Sequence, residues 1–137
     1  MVAALCAWHV HHSQAIAEIE RRLRRAERML VAAPALVDAY SVLTRFPPPH
    51  RVSPTEALTL LEANFFRLAR IIVLDRRGYQ GVLAQAPGAG ILGGRIYDAV
   101  IAACVLRARG TTLLTFNADH FLPFEQDGLE VVVPGEG

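Results

Sequence analysis

The chain has 137 residues, 53% of them hydrophobic, and a formal net charge of +1. That length predicts a single domain spanning residues 1–137 with a substantial core, and the apolar excess predicts an interface with a second copy or a partner. No run reaches the roughly 18 apolar residues of a membrane-crossing helix, Met1–Trp8 lacks a signal peptide's basic start, and the expectation is a cytoplasmic chain.

All fourteen basic residues are Arg, so P-loop phosphate binding, Schiff bases and a phospho-receiver lysine are excluded. Cys6 and Cys104 form no metal or redox motif and read as buried thiols.

In chain order, residues 2–8 are apolar and compatible with helix. His9, His11 and His12 interrupt them, without the carboxylate or Cys neighbours of a metal motif. Gln14–Leu30 repeats apolar residues at three and four, an amphipathic helix. Its other face carries Arg21, Arg22, Arg24, Arg25 and Arg28, a solvated surface or a phosphate contact. Met29–Ala33 fits a buried strand, and Pro34 suits the first position of a helix running to Arg45, with Asp38 in its early turns.

Phe46–His50 is a proline-rich connector. Ser53-Pro54-Thr55-Glu56 is a capping box, followed by a helix with a buried face of Leu58, Leu61, Phe65 and Leu68. Ile71–Leu74 reads as a minor strand and Gly78–Gln85 as weak helix. Gly88-Ala89-Gly90-Ile91-Leu92-Gly93 matches the dinucleotide fingerprint by letter, but the preceding segment reads as helix where that motif needs a strand. A flexible loop leading to Asp98 explains the glycines more simply.

Ile96–Leu106 reads as helix, with Asp98 in the first turn, where the dipole favours a carboxylate, and Gly110 as the stop signal. Thr111–Phe116 reads as a strand buried on both faces, with Asn117 and Asp119 just beyond its carboxyl end, where parallel sheets place ligands. Leu122–Gly128 is a turn region and Leu129–Val133 a last strand. The alternation of helix and strand predicts an α/β fold with a mostly parallel sheet.

Asp occurs five times, and Asp38, Asp98 and Asp119 fall where strand ends and helix starts can converge. Each alone is more often a terminal charge or a turn residue. Together, carboxylates without Cys suit a hard cation, Mg²⁺ or Mn²⁺, an ion suited to phosphodiester hydrolysis.

Three segments carry a resemblance across nearly the whole chain: Pro34-Ala35-Leu36-Val37-Asp38-Ala39-Tyr40, Tyr97-Asp98-Ala99-Val100-Ile101-Ala102-Ala103, and Leu113-Leu114-Thr115-Phe116-Asn117 with Phe121. In order and spacing they resemble a PIN domain of the VapC toxin type. The resemblance implies a three-layer α/β/α domain around a central, mostly parallel sheet. It also implies a Mg²⁺- or Mn²⁺-dependent endoribonuclease acting on RNA, a cognate antitoxin and a homodimer.

By the same resemblance, Asp38 stands for the family's second acid, usually Glu, and Asp98 for the third. Asn117 holds the fourth acidic position, with Asp119 as a substitute ligand and Thr115 as the motif's polar residue. The implied catalytic set is Asp38, Asp98, Asn117 and Asp119, and the implied metal ligands are Asp38, Asp98 and Asp119. The family's N-terminal strand and its first Asp would lie before Met1, so the alternative is a degenerate module that binds antitoxin or RNA without cleaving.

Overall fold

The computed structural model describes residues 1–136, and the chain falls into two compact units, Met1–Ile71 and Ile72–Gly137. The first opens with one helical turn, Val2–Leu5 (α1), and the amphipathic helix His12–Arg24 (α2). α2 stops well short of Leu30. Ala26 takes a left-handed φ of 61°, and the Ala26 and Glu27 N–H groups donate back to the Leu23 and Arg22 carbonyls. This is a Schellman ending built without its usual glycine, which is why the apolar periodicity overran it.

Leu30–Ala32 (β1) pairs with Arg70–Ile72 (β2). Ala33–Arg45 (α3) begins directly after β1, with Pro34 in its first turn and Leu36, Ala39 and Leu43 buried. Pro54–Leu61 (α4) has the expected capping box: the Glu56 N–H donates to Ser53 Oγ at 3.2 Å and the Ser53 N–H to Glu56 Oε2 at 3.0 Å. A π-helical turn, Glu62–Phe66, continues it.

The inward stripe of this segment is Ala57, Leu61 and Phe65, while Leu58 is 51% and Leu68 63% exposed. The expected face of Leu58, Leu61, Phe65 and Leu68 was thus half right. The buried stripe steps by four from the small Ala57, and Leu68 falls beyond the π turn. The core of this unit joins Val31, Leu36, Ala39, Leu61 and Phe65, beside a cluster of Cys6, Leu43 and Ala57.

In the second unit, Arg76–Gln85 (α5) is capped by Asp75, whose Oδ1 accepts from the Gly78 N–H at 2.8 Å. The same carboxylate receives both Arg107 Nη groups, at 2.9 and 3.0 Å, from the far end of Arg95–Arg107 (α6). α6 ends like α2. Arg109, at φ 57°, takes the left-handed position and the Gly110 N–H reaches back to the Val105 carbonyl.

Thr112–Leu114 (β3) pairs in parallel with Glu130–Val132 (β4), Leu113 opposite Val131. Only Leu113 in β3 is fully buried, so this strand is less enclosed than its composition suggested. Between them lie Ala118–Phe121 (α7) and a 3-10 helix, Leu122–Asp127, closed by Gly128 at φ 93°. Ala102, Leu113, Phe121 and Leu129 form the unit's core.

The fold is thus α/β, as expected, and the four strands among the described residues pair as two short sheets. Cys6 and Cys104 are buried free thiols, and burial pushes both pKa values up. Among the described residues, no helix is long and apolar enough to cross a membrane.

Candidate functional site

The loop after α5 leads into α6 through Gly90 and Gly93, at φ 67° and 54°. Helix, and not strand, precedes Gly88, so the dinucleotide fingerprint lacks the context its phosphate binding requires. Asp98 follows in the first turn of α6, its side chain 21% exposed.

Two partners meet this carboxylate. His120 Nδ1 lies 2.9 Å from Asp98 Oδ2; a carboxylate only accepts, so Nδ1 carries the proton in this pair. Arg95 Nε lies 3.8 Å from the same oxygen, one helical turn away, and Arg95 Nη2 donates to the Asp119 carbonyl at 3.3 Å. Asp98 is therefore flanked by two nitrogen donors and tied through Arg95 to the main chain of α7.

Asn117 occupies the N-cap position of α7 without a side-chain capping bond, and its N–H donates to Thr115 Oγ1 at 3.0 Å. The Asn117 and Asp119 side chains are exposed. The second unit thus brings together Asp98, the Asp119 main chain, and two residues the sequence reading did not single out, Arg95 and His120. The Arg95 to Asp98 spacing of three on a helix was a readable signal. For His120, 22 residues from Asp98, the sequence held none.

Asp38 belongs to the first unit. It is exposed on α3 and has the Met1 amino group as an electrostatic neighbour; burial lowers that group's pKa and Asp38 opposes the shift. Among the described residues, no three His, Cys, Asp or Glu side chains are gathered closely enough to hold a metal ion. The carboxylates suit Mg²⁺ or Mn²⁺ in kind, but the described arrangement is not a ligand cage.

The other candidate clusters resolve into local structure. Glu18 accepts from Arg21 Nε at 2.9 Å and Arg22 Nε at 2.7 Å, and the Arg21 hydrogen bond is the leading reason its pKa falls to about 2. Arg22 also reaches Glu27, and Arg24 reaches Glu20, so much of this Arg face is matched internally. His12 Nδ1 lies 2.8 Å from the Ala3 carbonyl and His11 Nδ1 lies 2.9 Å from Gln14 Oε1. Burial is the first cause of a lowered His9 pKa.

No protein-family model matches the chain. Its sequence is 32% identical over 131 residues to Ribonuclease VapC40 of Mycobacterium tuberculosis, in strains CDC 1551 / Oshkosh and ATCC 25618 / H37Rv. The match covers 96% of this chain and 91% of each relative. Ribonuclease VapC27 of the H37Rv strain is 33% identical over 134 residues, covering 96% of this chain and 82% of that protein. Similarity at this level along nearly the entire chain makes it a member of the VapC family.

Proposed function

We propose that the chain is the endoribonuclease toxin of a toxin–antitoxin pair, hydrolysing RNA phosphodiester bonds at a site centred on Asp98. The observation that carries the reading is similarity over 96% of the chain to proteins named ribonucleases. The anchored carboxylate at the start of α6, beside exposed Asn117 and Asp119, supports it. A cognate antitoxin and a second copy are the proposed partners, and the exposed apolar side chains Val37, Leu58, Phe66 and Leu68 supply surface for such contacts.

A divalent Mg²⁺ or Mn²⁺ is part of the proposal, with Asp98 and Asp119 of the second unit as oxygen donors and Asp38 as the further donor that the resemblance implies. Such an ion supplies an activated water and neutralises charge on phosphate oxygens. What the chain itself contributes is the Asp98 carboxylate at the start of α6, with His120 Nδ1 at 2.9 Å and Arg95 Nε at 3.8 Å from its Oδ2.

The test is cleavage of cellular RNA by the purified chain with and without Mn²⁺, beside Asp98→Asn. The reading expects Mn²⁺-stimulated cleavage that this variant loses while staying folded. Cleavage by the variant at the original rate rejects the site.

The second reading, a module that binds antitoxin or RNA without cleaving, is favoured by the dispersed ligand set and by Asn117 at an acidic position of the family. Mn²⁺ titration separates the two, because such a module binds the ion no better than Asp98→Ala does.

A further inference from the structure

α7 is a four-residue helix, too short to persist without tertiary contacts. Its C-terminal end is secured by Phe121, 6% exposed and packed with Ala102, Leu113 and Leu129. Its polar end is secured differently, by contacts that run in both directions between α6 and α7. From α7, His120 Nδ1 reaches Asp98 Oδ2 at 2.9 Å. From α6, Arg95 Nη2 reaches the Asp119 carbonyl at 3.3 Å, with its Nε 3.8 Å from that same Asp98 oxygen.

A comparison within the unit indicates what these contacts are for. Arg107 grips Asp75 with two bonds of 2.9 and 3.0 Å, and Asp75 also caps α5, an arrangement that staples two long helices. The Arg95 contacts are longer, at 3.3 and 3.8 Å, and the Arg95 side chain is about as exposed as that of Arg107, so they add little stability. They converge instead on the acid at the proposed site and on the backbone that carries Asn117 and Asp119.

We propose that Arg95 and His120 are positioning residues, a two-way clamp that fixes the Asp98 carboxylate and the turn Asn117–Asp119 relative to each other. The role is orientation, with no proton transferred by His120. The inference rests on the reading of Asp98 as an RNA-cleaving acid. Loss of the His120 arm leaves Asp98 with extra rotamers, loss of the Arg95 arm frees the Asp119 carbonyl, and misplacement on the order of 1 Å costs roughly 100-fold in rate.

The test compares His120→Ala with His120→Asn, whose side-chain amide keeps an N–H near the position of Nδ1, and Arg95→Ala with Arg95→Lys. The clamp predicts that both Ala variants lose roughly 10- to 100-fold in kcat on RNA, with KM and melting temperature little changed. His120→Asn restores most of the rate, and the double Ala variant loses little more than the worse single one, because the arms act as one unit.

Two results overturn the proposal: His120→Asn as inactive as His120→Ala, or single losses that multiply in the double variant. Amide exchange at Ala118–Phe121 provides a readout independent of cleavage. Faster exchange in His120→Ala supports the clamp, and unchanged exchange rejects it. A wild-type chain that cleaves no RNA defeats the functional reading, and the exchange result then decides the clamp alone.

Discussion

α3 and α6 begin alike in sequence and differ in what surrounds their acids. Each follows an irregular or strand segment, each is an Ala-rich helix of thirteen residues, and each carries one Asp, in the first turn of α6 and in the second turn of α3. Asp38 is exposed on α3. Asp98 is mostly enclosed, with His120 at 2.9 Å and Arg95 at 3.8 Å. An acid at a helix start becomes a defined chemical group only when other elements bring partners to it, because partners restrict its rotamers and fix its oxygens in space. α3 is anchored through its apolar side, and α6 also presents a fixed charge.

The largest expected effect falls on α6. Asp98→Asn should lower RNA cleavage on the order of 10²- to 10³-fold, the scale of losing one preorganised electrostatic group, while thermal melting stays close to wild type. For α3 the large effect should be on stability. Leu43, 0% exposed, packs with Cys6 and Ala57, and Leu43→Ala should cost about 2–5 kcal/mol in denaturant unfolding. A Leu43→Ala protein of unchanged stability would break the contrast from that side.

A smaller effect is expected at the capping box. Ser53→Ala removes the acceptor for the Glu56 N–H and should cost about 1 kcal/mol, without altering cleavage at saturating RNA.

The smallest effect concerns acid pH. Glu18 ionises at about 2 in the folded chain against an ordinary value near 4.5, chiefly through the Arg21 hydrogen bond. A depressed carboxyl pKa adds stability that is present above about pH 4.5 and is lost as pH falls towards about 2. Glu18→Gln should therefore flatten the stability curve between those two values and leave it unchanged in shape at neutral pH. An acid limb identical to wild type would show that other carboxyls control it.

What the sequence revealed follows from the range of the interactions involved. The capping box at Ser53 and Glu56, the helix start at Pro34 and the first-turn position of Asp98 all depend on residues within a few places of one another. Helix ends were less legible. Ala26 and Arg109 adopt left-handed backbone without being glycine, so α2 ran too far in the periodicity and the stop at Gly110 was placed one residue late. The apolar face of α4 drifted because a π turn at Glu62–Phe66 has no simple sequence signal. Asp98 and Asp119 were singled out from their placement at element ends, and the structure sets Asp98 near the Asp119 main chain through Arg95. His120 was not, since its pairing with Asp98 depends on α7 folding back onto α6. The pairing of the strands as two short sheets, and the division at Ile71, likewise reflect long-range packing.

The most direct test of the account is a side-by-side measurement of RNA cleavage by Asp98→Asn and Asp38→Asn, at equal concentration and with folding checked by melting. The account predicts that Asp98→Asn loses at least about ten times more activity than Asp38→Asn, since His120 reaches Asp98 from α7 while Asp38 lies exposed on α3. Equal losses, or a greater loss at Asp38, would contradict the claim that the clamped carboxylate of α6 is the centre of the site.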